Sequence, residues 1–133
     1  MKILFVCKHN RFRSKIAEAY FKKINKNRRI KVASAGVFKG YPTEPVVVKI
    51  GKKFGLNIPR TTKGLNEDEI YKTDLLIIVA DNVPSLLFKG KVKKIIVWKI
   101  SDTNQNNTKR IGEITKDIIK RVQILIKQLE NAK

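Results

Sequence analysis

The stretch from Ile3 to Phe21, ILFVCKHNRFRSKIAEAYF, constrains the fold more than any other part of the chain. Ile3 to Val6 is an unbroken apolar run, the pattern of a strand covered on both faces. From Ile16 the apolar residues recur at helical spacing, through Ala17, Tyr20, Phe21 and Ile24. Between strand and helix lies a short polar loop that starts at Cys7 and ends at Arg13 and Ser14. A buried strand that turns directly into a helix is the opening unit of an α/β sheet.

That placement carries chemistry. Backbone N–H groups at a helix N-terminus lack intrahelical partners and point outward, so such a loop can hold a tetrahedral oxyanion. A loop curled on itself adds further N–H groups and forms a nest. Lys8, His9, Asn10, Arg11 and Phe12 complete the cradle, and Arg13 can grip two oxygens with its planar fork. The same field favours a thiolate at Cys7, a nucleophile aimed at a bound phosphorus. Ser14 can hydrogen-bond the sulfur and steady it as a leaving group.

Cysteine, five residues, arginine and serine directly after an N-terminal strand resemble the low-molecular-weight protein tyrosine phosphatase family. The flanks LFVC and IAEAYF agree, and Asn10 stands where that family has an asparagine that shapes the loop. The resemblance implies a cysteine-dependent phosphomonoesterase, in the first place a protein tyrosine phosphatase, working through a phosphocysteine intermediate. It implies a phosphorylated protein or small phosphomonoester as substrate, inorganic phosphate as product, and no metal or other cofactor. In the family a serine in a Ser-Ala-Gly segment bonds the loop asparagine. Ser34, before Ala35 and Gly36, either does so here or merely caps a turn.

The rest of the chain reads as a three-layer α/β/α arrangement in one domain spanning residues 1–133. Strands are expected at Lys31–Ala35, Leu75–Val79 and Ile95–Val97. Helices are expected at Pro45–Phe54, after Asn66, at about 83–88, and at 109–129. The last carries a clean stripe of Ile111, Ile114, Ile118, Val122, Leu125, Ile126 and Leu129, which is core packing. Asp81 or Asn82 is expected to cap the helix that follows. Four parallel strands with helices on both faces result. The resemblance implies strand order 2-1-3-4, which puts the first loop at a topological switch point.

A thiolate displacing an alcohol requires a proton for the leaving oxygen, and a carboxylic acid can supply it. In the resembled family this is an aspartate in the loop before the last helix. Asp102 in Trp98-Lys-Ile-Ser-Asp-Thr103 occupies that place, and no other acid lies between Lys91 and Arg110. Thr103 stands where the family usually has proline, and residues 104–107 are amides where several members carry aromatic rings. Phe12 and Tyr41 are expected to supply an aromatic wall instead, with Arg11 beside them at the mouth. His9 is a lone histidine, incidental more often than catalytic.

Charge and cysteine count bound the alternatives. Thirty Lys+Arg against 11 Asp+Glu give +19, spread without a long block, which reads in the first place as a solvated basic surface and in the second as an attractor of anions. Nucleic acid is a possible partner but not the favoured one. The single cysteine excludes an internal disulfide and suits a reducing compartment. No apolar run reaches membrane-spanning length and no signal peptide is evident, so a cytoplasmic protein without a membrane partner is expected. Two rival functions remain: an arsenate reductase relying on an external thiol, and a catalytically weak anion- or RNA-binding module.

Overall fold

The computed structural model describes residues 1–132. Its elements are β1 (Lys2–Cys7), α1 (Arg13–Ile24), β2 (Lys31–Gly36), α2 (Pro45–Lys53), α3 (Glu67–Tyr71), β3 (Leu75–Val79), a 3-10 turn (Ser85–Phe88), β4 (Lys94–Trp98) and α4 (Thr108–Asn131). The sheet has the order β2-β1-β3-β4, and every pairing is parallel. The expected architecture and strand order are therefore the observed ones.

Alternation along the central strands divides the interior into two layers. Ile3 and Phe5 of β1, with Leu75, Ile77 and Val79 of β3, face the larger core under α1, α2 and α4. Leu4 and Val6, with Leu76 and Ile78, face the smaller core under α3 and the 3-10 turn. Both faces are covered, which is why these strands are apolar throughout. The stripe of α4 packs into the larger core as expected, from Ile111 to Leu125.

Local chemistry sets the ends. Pro45 opens α2 at its first turn, where a missing N–H costs nothing. The Asn66 side chain accepts from the Glu69 N–H and caps α3. Asn107 caps α4 by accepting from the Arg110 N–H at 3.0 Å.

One expectation is corrected. Neither Asp81 nor Asn82 caps the segment that follows β3. Pro84 precedes the 3-10 turn, which has no side-chain cap. Both polar side chains instead turn across the sheet's carboxyl end towards Arg13. A buried guanidinium that needs acceptors draws them away from the local role that their sequence position suggests.

Candidate active site

Cys7 ends β1 and Arg13 begins α1, so the residues between them cross the carboxyl edge of the sheet's central strands. Two bonds hold this loop to the chain after β2: the Val37 N–H donates to the Cys7 carbonyl and the Phe38 N–H to the Lys8 carbonyl. Gly36 permits the approach. A Cβ there would lie 2.5 Å from the His9 carbonyl carbon and 2.6 Å from the Asn10 nitrogen.

Asn10 sets the loop's curvature. Its φ is 57°, in the left-handed region that asparagine tolerates better than most residues, and it is fully buried. Its Oδ1 accepts from the Lys63 N–H at 2.9 Å, which orients the amide. Nδ2 therefore donates twice, to Ser14 Oγ at 2.8 Å and to Ser34 Oγ at 2.9 Å. Ser34 and Asn10 thus pair as the resemblance implied.

The Ser14 oxygen accepts from Asn10 at 2.8 Å and lies 3.0 Å from Cys7 Sγ, a contact in which either atom can be the donor. With a thiolate at Cys7 only the Ser14 hydroxyl has a hydrogen to give. Ser34 in turn donates to the Glu18 carboxylate, so no member of the network is left unpaired.

Arg13 is 2% exposed. It donates to the Ile100 carbonyl at 2.9 Å and to Asn82 Oδ1 at 3.3 Å. Asp102 lies 3.6 Å and Asp81 3.8 Å from its guanidinium. Arg13 so ties the start of α1 to the loop before α4. Cys7, His9, Arg11, Arg13 and Asp102 border one small pocket of about 30 Å³, with Phe12 and Gln105. Asp102 Oδ1 also accepts from the Thr103 N–H at 2.9 Å.

The mouth differs from expectation. Phe12 touches the pocket, but its ring is only 3% exposed and belongs to the main core. The exposed aromatics are Phe38 and Tyr41, which flank His9 at centroid distances of 5.9 and 5.6 Å. Arg11 packs over the Tyr41 ring, donates to the Pro42 carbonyl at 3.0 Å and pairs with Glu44. Burial, with Lys8 and Arg11 nearby, pushes the His9 imidazole below its ordinary value, with Asp102 opposing. That direction favours the uncharged imidazole, which offers an aromatic surface at the mouth.

Sequence reasoning missed Gly36, Phe38, Lys63, Asn82 and Gln105. The Ser-Ala-Gly segment carried a signal for Gly36. Lys63 acts through its backbone N–H, which leaves no mark in the side-chain sequence.

Residues 2–132 match the family model described as low molecular weight phosphotyrosine protein phosphatase. An arsenate reductase from Archaeoglobus fulgidus is 26% identical, with a TM-score of 0.77 over 93% of this chain and 98% of its own. A low molecular weight protein tyrosine phosphatase from T. tengcongensis is 24% identical, with a TM-score of 0.81 over 96% of this chain and 99% of its own. The YwlE arginine phosphatase from Geobacillus stearothermophilus is 18% identical and shares the fold, with a TM-score of 0.85 over 98% of this chain and 94% of its own. No curated protein sequence matches. With its strand order, loop and family match in agreement, this chain belongs to the low molecular weight phosphotyrosine protein phosphatase family.

Proposed function

We propose that the protein is a cysteine-dependent phosphomonoesterase, acting on phosphotyrosine or a related aryl phosphate. Cys7 Sγ attacks phosphorus, forming the S–P bond as the P–O bond to the leaving group breaks. Loop N–H groups and Arg13 stabilise the equatorial oxygens. Asp102 gives its proton to the departing oxygen. It then takes one from the water that attacks phosphorus, and the S–P bond breaks to release inorganic phosphate and the thiolate. Ser14 donates to the sulfur in both steps. Asn10 and Ser34 hold the loop, and Lys8, His9, Arg11 and Phe12 form its remaining turn.

The observation that carries this reading is the bonded chain that runs from the Lys63 N–H through Asn10 and Ser14 to Cys7, ending on a sulfur that shares a pocket with Asp102. An aromatic leaving group is favoured by Phe38, Tyr41 and His9 at the mouth.

The test is p-nitrophenyl phosphate hydrolysis. Cys7→Ser is expected to lose more than about 10³-fold in kcat. Asp102→Asn is expected to lose about 10²-fold or more. Equal rates for both variants and the wild type would overturn the mechanism. The Archaeoglobus similarity favours one second reading, arsenate reduction by Cys7 with an external thiol. Arsenate turnover that depends on added thiol, without phosphate ester hydrolysis, would select it.

A further inference from the structure

A cleft of about 740 Å³ opens between α2 and the first turns of α4, and none of its lining residues borders the Cys7 pocket. Its size lies within the range of small-molecule sites, roughly 300–1,000 Å³. Val46, Ile50 and Phe54 give it an apolar side from α2. Lys49, Lys53 and Lys109 stand around it. No carboxylate lines the cleft. Among the described residues, none of these three lysines takes part in an ion pair. The nearest acids in sequence are engaged elsewhere: Glu44 pairs with Arg11, and Glu113 lies 3.8 Å from Arg110.

Gly112 is the independent observation. It lies inside α4, where glycine is the poorest helix former after proline. A Cβ at this position would meet no atom within 4 Å. Packing within the chain therefore does not demand glycine here, and its effect is to leave bare backbone along the cleft.

We propose that this cleft binds a small amphipathic anion, its apolar body lying along Val46, Ile50, Phe54 and the Gly112 backbone, its carboxylate held by the lysines. The charge excess of three unpaired ammonium groups selects an anion. The apolar side distinguishes it from a bare inorganic ion. Neither element of the cleft supplies catalytic residues, so the site is separate from the proposed phosphatase chemistry and stands or falls without it.

The test uses the full chain, isotopically labelled, with decanoate as probe and decanol and acetate as controls. Decanoate is expected to give saturable amide shifts confined to residues 45–54 and 108–112. Decanol and acetate are expected to bind at least about ten-fold more weakly. Gly112→Leu projects a side chain into the cleft where the apolar body would lie and is expected to weaken binding at least about ten-fold. Gly112→Ala is expected to raise Tm while weakening decanoate, so that loss of binding is not loss of fold. The pair Lys49→Glu and Lys109→Glu, combined, is expected to weaken decanoate at least about ten-fold and to leave kcat for p-nitrophenyl phosphate unchanged. Shifts spread over the molecule would overturn the proposal. So would decanol binding as tightly as decanoate, or affinity unchanged in a folded Gly112→Leu or in the double lysine variant.

Discussion

At Asn10 a left-handed backbone and three side-chain hydrogen bonds coincide, and the two can be separated by substitution. Asn10→Gly keeps the conformational freedom and loses the bonds; Asn10→Ala loses both. Each is expected to lower stability by about 2–4 kcal/mol in urea unfolding, with Ala the worse, since three buried bonds go together. If Asn10→Gly retained wild-type kcat, the bonds would not matter to the sulfur. Gly36 makes a sharper case. A methyl group there meets the His9 and Asn10 backbone, which cannot rotate aside. Gly36→Ala is expected to distort the loop and to reduce kcat/KM by at least about 10-fold, more than it lowers Tm would suggest. His9 supplies a pH prediction. Its folded value is lowered, so the unfolded chain takes up the proton first as pH falls through 6.5. Stability is therefore unaffected well above that value and declines below it. His9→Gln is expected to reduce the drop in Tm between about pH 7.5 and pH 5.5.

At the scale of elements, Glu69 of α3 joins pieces that are distant in sequence. It takes Lys2 of β1 at 3.3 Å and Lys63 at 2.7 Å, and Lys63 is the residue whose N–H orients Asn10. Burial would raise the Glu69 carboxyl, but the hydrogen bonds and charges of Lys63 and Lys2 outweigh it and hold the group below its ordinary value. Its contribution is present above the unfolded value of 4.5 and is lost as pH falls from there through the lowered folded value. Glu69→Gln is expected to flatten that part of the acid unfolding curve, read by circular dichroism. Arg13 joins two other elements, the start of α1 and the loop that ends at α4. Arg13→Lys keeps the charge but loses the fork that reaches both Ile100 and Asn82. It is expected to lower kcat by about 10²-fold or more, with p-nitrophenyl phosphate as substrate.

For the whole molecule, a formal charge of +19 sets a net field that draws anions. With an acidic phosphopeptide, kcat/KM is expected to fall as salt rises towards 0.15 M, where screening acts over about 8 Å, while kcat stays level. A salt-independent kcat/KM would show that the charge serves solubility alone. The sheet and its layers were legible because strands buried on both faces must be apolar throughout and a helix packed on them must repeat at 3.6 residues, whereas the order of the strands came from the family resemblance. The phosphate loop was legible because Cys7, Arg13 and Ser14 lie within one turn of chain. What lay beyond local sequence was the company that Arg13 keeps: Ile100, Asn82, Asp81 and Asp102, brought from two other loops. The same holds for the Lys63 N–H on Asn10, and for Phe38 rather than Phe12 at the mouth. By itself the order of residues determined which elements form and where a thiol meets a helix start, since periodicity and caps act over a few residues. Only tertiary packing decided which distant backbone groups and side chains satisfy the buried guanidinium and amide, because a buried polar group takes whatever partner the assembled fold brings within reach.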